Sequence, residues 1–155
     1  MRKSYLALTA VAGALAGGGT ALAKTEPAAW VNRILVEWEE IQSSEGWAAA
    51  GEVRPGALAS GGDARLAYPL AAGTDYRFVV VCEPGCGAGE VELLDPAGAR
   101  VGDPKPLVEM PKLQATPSAA GNYTLHIAMT DCSGEACAWS ARLYSKGPAA
   151  PGRRR

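Results

Sequence analysis

A mainly β fold is predicted for this 155-residue chain: an antiparallel β-sandwich, jelly-roll-like, preceded by one amphipathic α-helix. Three observations point to it. A helical apolar stripe is confined to the residues before 50. Beyond Gly51, about seven short runs alternate apolar and polar residues between Gly/Pro/Asp turns. No helical period returns between those runs.

In chain order, residues 1–23 come first. Arg2 and Lys3 lead into an uncharged Ala/Leu/Val/Gly stretch that ends in Ala21-Leu22-Ala23, just before the polar Lys24. Basic, apolar and small-residue segments in that order predict a secretory signal peptide cleaved between Ala23 and Lys24. Four glycines (Gly13, Gly17, Gly18 and Gly19) interrupt the stretch, and no cysteine stands at the cleavage site to take a lipid. No later stretch is long and apolar enough for a membrane span. The expected location is therefore periplasmic or secreted, in a bacterium.

Residues 24–50 hold the helix. From Ala28 to about Ser44, Trp30, Val31, Ile34, Leu35, Trp38 and Ile41 fall in one arc, opposite Asn32, Arg33, Glu39, Glu40 and Ser43. Thr25 is the expected N-cap, and Pro27 suits a first turn. Glu45 would land inside the apolar arc, so the helix is expected to stop before it, with Gly46 as terminator. Glu37, Glu39 and Glu40 against a lone Arg33 would be repelled by anionic lipid, so the stripe is expected to pack on its own domain.

Residues 51–146 form the predicted sandwich. In DARLAYPL, Leu66, Tyr68 and Leu70 share a face; in DYRFVVVC, Tyr76, Phe78 and Val80 do. GEVELLD and a short ARV strand flank the Asp95-Pro96-Ala97-Gly98 turn. PLVEMPKLQA carries Pro106 and Pro111, which demotes it to an edge or broken strand. GNYTLHIAMT aligns Tyr123, Leu125, Ile127 and Met129; ACAWSARLYS aligns Trp139, Ala141 and Leu143. The tail, residues 147–155, ends in Arg153, Arg154 and Arg155 and is expected to be disordered.

Cys82, Cys86, Cys132 and Cys137 form two close pairs. In an exported chain an even number of cysteines predicts disulfides. Zinc knuckles and thioredoxin-like motifs both prefer two intervening residues, fewer than either pair has here. Pro84-Gly85 and Ser133-Gly134 are turn chemistry, and favour Cys82–Cys86 and Cys132–Cys137. Chain entropy assigns about 2 kcal/mol to each such small loop, against about 4 kcal/mol for a long bridge such as Cys82–Cys132. Energy thus favours the long bridge and ease of closure the local pairs, which are the preferred reading.

Turn and strand residues also carry a family resemblance. Leu70-Ala71-Ala72-Gly73-Thr74-Asp75-Tyr76, Val91-Glu92-Leu93-Leu94-Asp95-Pro96-Ala97-Gly98 and Ala120-Gly121-Asn122-Tyr123-Thr124-Leu125 resemble the bacterial pre-peptidase C-terminal-like β-sandwich. The chain is similar to small exported bacterial proteins of unassigned function that carry a helix before such a sandwich. The resemblance spans roughly residues 28–145 and implies a jelly-roll-like fold without catalytic residues. Relatives place alternating aspartates near the first cysteine pair, which suits calcium. Here the segment from Glu83 to Glu92 has glycines and spaced glutamates instead.

Few residues offer chemistry. His126, the only histidine, alternates with Leu125 and Ile127 and is expected on a solvated outer face. No Gly-x-Ser-x-Gly elbow occurs, and disulfides remove the thiol nucleophiles. Glu83, Glu90, Glu92 and Asp95 are weak calcium candidates whose ordinary role is a solvated face. Loss of Arg2 and Lys3 with the leader takes the formal net charge from −1 to −3, so the body lacks a basic footprint for nucleic acid.

The expected function is that of an exported, non-catalytic module without cofactor. It would bind protein or polysaccharide in the cell envelope and carry an exposed aromatic or apolar patch. The alternatives are a structural or envelope-stress protein without a ligand, or an accessory to a cell-wall or secreted hydrolase.

Overall fold

The computed structural model describes residues 26–147. The expected signal peptide with Ala23 and Lys24, the Thr25 cap and the tail beyond Gly147 lie outside the described residues.

Helix α1 runs from Glu26 to Ser44. Its end is set by Gly46, whose φ of +82° is the left-handed conformation a helix terminator needs, while the Trp47 amide donates back to the Gln42 carbonyl at 2.9 Å. Nine strands follow: β1 (Ala48–Ala49), β2 (Arg54–Leu58), β3 (Asp63–Leu70), β4 (Asp75–Cys82), β5 (Cys86–Leu94), β6 (Lys105–Pro106), β7 (Lys112–Ala115), β8 (Gly121–Cys132) and β9 (Cys137–Lys146). They pair antiparallel into two sheets. The helix-covered sheet has the order β2-β9-β4-β7, with β1 also on β9; the open sheet has the order β3-β8-β5-β6. From β2 onward this is jelly-roll order, in which strands paired within a sheet are far apart in sequence.

The expected alternation holds where a strand has one buried face. Tyr123, Leu125, Ile127 and Met129 of β8 point inward and meet Phe78 and Val80 of β4 and Trp139, Ala141 and Leu143 of β9. Phe78 packs edge-on against Tyr68 of β3, ring centroids 5.1 Å apart, linking the sheets. Strand β4 is buried on both faces, because Val79 and Val81 turn outward to a second cluster under α1 with Val31, Leu35, Trp47 and Tyr144. Gly56 faces Trp139 across the β2–β9 ladder, and a Cβ there would run into the indole ring.

Three elements differ from expectation. The expected ARV strand is reduced to one bridge between Leu94 and Arg100. The PLVEMPKLQA segment is broken as its prolines imply, but its halves join different sheets: β6 pairs with β5, a 3-10 turn at Leu107–Glu109 crosses over, and β7 pairs with β4.

The helix is also rolled away from the centre of its apolar arc. Gln42 is fully buried, whereas Ile41 is 44% exposed. Polar anchors set that roll. The Arg77 guanidinium on β4 donates to Gln42 Oε1 and to Glu45 Oε2, each at 2.6 Å, and stacks 4.2 Å from the Trp47 ring. The same guanidinium holds the Glu45 carboxyl below the usual carboxylate range. Arg142 reaches Glu39 at 3.2 Å, and the Ser140 hydroxyl donates to Asn32 at 3.1 Å.

Candidate functional site

The four cysteines meet at one end of the sandwich. Cys82 is joined to Cys86 and Cys132 to Cys137. The first pair closes the turn by which β4 of the helix-covered sheet passes to β5 of the open sheet. The second closes the return from β8 to β9. Each disulfide therefore staples a sheet-to-sheet crossover, where the chain leaves one hydrogen-bond ladder for another and has the fewest backbone partners.

Hydrogen bonds hold these corners together. The Ser133 amide donates to the Gly85 carbonyl at 2.9 Å, and a Cβ on Gly85 would stand 2.8 Å from the Ser133 hydroxyl oxygen. The β2-to-β3 crossover joins them: the Cys132 amide donates to Ser60 Oγ at 2.9 Å, and the Gly61 amide to the Met129 carbonyl at 2.8 Å. Glu83 caps the neighbouring ladder, its Oε1 accepting the Ala138 amide at 2.7 Å. Residues 58–63, 82–90 and 130–137, which build this end, carry Asp63, Glu83, Glu90, Asp131 and Glu135 and no lysine or arginine, although Arg65 just beyond them pairs with Asp63 at 3.6 Å.

A polar row runs beside it over the outer face of the open sheet. The ladder sets Arg65, His126 and Glu92 side by side on β3, β8 and β5. His126 Nδ1 lies 2.9 Å from Glu92 Oε1, and its Nε2 lies 3.2 Å from Asp63 Oδ2. Behind Glu92, the Arg100 guanidinium donates to Oε2 at 2.6 Å. His126 does face outward, but its side chain is only 16% exposed, which corrects the expectation of a solvated histidine. The carboxylates on either side cover it. The row borders a shallow depression of about 430 Å³ that includes Gly61, Gly62 and Thr130.

The four acids proposed for calcium do not converge. Glu83 is spent on the Ala138 amide, Glu92 on His126 and Arg100, and Asp95 Oδ1 on the Ala97 and Ala99 amides of its own turn. Glu90 is exposed. Among the described residues no three His, Cys, Asp or Glu side chains gather around a point where a cation could sit. The buried phenols offer no acid or base near neutrality, since burial pushes Tyr68 and Tyr144 up from their ordinary values.

Asp63 and Arg100 were not singled out by sequence. Both sit in turn-rich stretches; cross-strand register brings Asp63 to His126, and the Leu94–Arg100 bridge sets Arg100 beside Glu92.

Glu92 carries a pH prediction. Its hydrogen bond with His126, with Arg100 behind it, holds its carboxyl below the usual carboxylate range. A carboxyl depressed in the folded state stabilises above its unfolded pKa, about 4.3, and loses that contribution as pH falls through the folded value. Urea unfolding should show Glu92→Gln less stable than the parent at pH 6–7, with the difference closing below about pH 4.

No family model matches the chain, and no curated protein matches it in sequence. Solved structures do match in fold. One is the crystal structure of PliG of Aeromonas hydrophila, a periplasmic lysozyme inhibitor of g-type lysozyme. It is 14% identical over 63% of this chain and 88% of its own, with a TM-score of 0.50. The likeness is one of fold. No helix among the described residues is long and apolar enough to cross a membrane.

Proposed function

We propose that this chain is an exported, non-catalytic sandwich that binds a protein in the cell envelope, and that cell-wall hydrolases of the lysozyme kind are the partner class. The observation carrying this reading is the stapled end. Two disulfides staple two of the crossovers and hydrogen bonds at Ser60 and Gly61 tie in the third, giving a stiff end rich in carboxylates, which suits a partner of positive charge because a pre-ordered face loses little freedom on binding. PliG, an inhibitor of g-type lysozyme with a similar fold, supplies the partner class.

Polysaccharide is the weaker ligand. Sugar-binding sheet faces stack rings on exposed aromatics, and the large exposed apolar side chains among the described residues are Val36, Ile41 and Val108. Disulfides support export, since they persist outside the reducing cytosol.

The test is interferometry with the oxidised protein immobilised, against a g-type lysozyme, other cell-wall hydrolases and soluble peptidoglycan fragments. A parallel assay follows lysis of cell-wall suspensions. Saturable binding to at least one hydrolase, with slowed lysis and no response to the glycan, is the expected result. Binding to the glycan alone, or to nothing, would overturn the reading.

A further inference from the structure

We propose that His126 is a proton-operated clasp. With both ring nitrogens protonated it ties Asp63 of β3 to Glu92 of β5 across β8; on losing one proton it keeps Glu92 and lets Asp63 go. This goes beyond the proposed function and does not depend on it.

The supply of donors carries the argument. His126 Nδ1 lies 2.9 Å from Glu92 Oε1, and Nε2 lies 3.2 Å from Asp63 Oδ2. An ionised carboxylate only accepts hydrogen bonds, and a neutral imidazole has one N–H and one lone pair. A neutral ring held here would turn its lone pair on one of the two carboxylates, so only the imidazolium donates to both. The ladder leaves the ring little freedom, with Arg65 on one side of His126 and Glu92 on the other. The charged groups facing it are Asp63 and Arg65 from β3 and Glu90 and Glu92 from β5, with Arg100 behind Glu92. Its outward neighbours on β8, Thr124 and Ala128, do not titrate. Three carboxylates thus meet two guanidiniums, and an imidazolium balances the face.

The two carboxylates are not equivalent. The Glu92 side chain is 14% exposed, and its other oxygen accepts from Arg100 at 2.6 Å. Taking its ring donor away would leave a carboxylate oxygen with little access to water. Asp63 is 55% exposed, has the longer contact with the ring, and stands 3.6 Å from the Arg65 guanidinium. It can turn to solvent at small cost, so the neutral ring is the Nδ1–H tautomer. The backbone does not follow, because Gly61 and Gly62 stay bonded to Met129 and Asp63 stays paired with Ala128. The movement is that of one carboxylate at the rim of the depression, beside the stapled end.

NMR of the oxidised, untagged chain from about pH 5 to 9 tests this, a range that spans proton exchange by an imidazole beside carboxylates. With a single histidine, the ring nitrogen signals are unambiguous. At the acid end both ring nitrogens should carry protons; at the alkaline end Nδ1 should keep its proton and Nε2 should be bare. The Asp63 carboxyl carbon should shift with the same midpoint as the ring. Asp63→Asn, whose amide can donate to the bare Nε2, should lower that midpoint by at least about 0.5 pH unit. A neutral Nε2–H tautomer, an Asp63 signal flat through the ring's transition, or a midpoint unmoved in Asp63→Asn would overturn the proposal.

Discussion

Phe78→Ala should destabilise the protein by about 3–5 kcal/mol, the largest effect expected of a single substitution here. Phe78 is fully buried on β4, between β9 and β7, and its ring bridges the two sheets by meeting Tyr68 edge-on. Truncation leaves a cavity that neither sheet can fill, since the ladders hold both backbones in place. The edge-on pairing adds about 0.5–1.5 kcal/mol beyond buried area. Since domains of this size are stable by about 5–15 kcal/mol, the variant should sit near its unfolding threshold. Urea denaturation should show the midpoint falling with little change in slope, and Phe78→Leu should recover much of the loss. A deficit below about 1 kcal/mol would mean that the inter-sheet contact does not centre on this ring.

The second large effect belongs to the Cys132–Cys137 staple. Replacing both residues with alanine frees a small loop worth about 2 kcal/mol of chain entropy. The sulfurs are also buried in the sandwich core, with Cys137 only 1% exposed, so loss of packing adds to the entropy. A fall in Tm of about 8 °C or more is expected for a domain of this size. The Cys82–Cys86 loop has nearly the same entropy, but Cys82 is only half-buried, so the matching double substitution should cost less. Thermal unfolding of the two variants side by side checks the order, and a reversed order would contradict this account of the stapled end.

Much of the fold was legible in the sequence because a strand with one buried face alternates visibly. Tyr123 to Met129 on β8 and Trp139 to Leu143 on β9 show that pattern plainly. The run Phe78-Val79-Val80-Val81 does not, because α1 covers the second face of β4 and removes the polar half of the period. The roll of α1 was hidden for a related reason. Apolarity alone favours Ile41 inward, whereas a guanidinium on β4 selects Gln42, and Arg77 lies far away in sequence. The turns within both cysteine pairs could be read from Pro84-Gly85 and Ser133-Gly134. That they lie side by side could not, because it depends on β5 pairing with β8 and β4 with β9. His126 shows the same limit. Its outward direction follows from its neighbours, while its cover comes from Asp63 and Glu92 on two other strands.

The most direct measurement is hydrolase binding by a variant that discharges the stapled end without disturbing its hydrogen bonds. Glu90→Gln, Asp131→Asn and Glu135→Gln together leave Glu83 on its amide and Asp63 on His126. With unfolding unchanged, the triple variant should bind the captured hydrolase at least about tenfold more weakly, and the parent's affinity should fall as salt is raised. Equal affinity in parent and variant, insensitive to salt, would show that the acidic crossovers are not the binding surface.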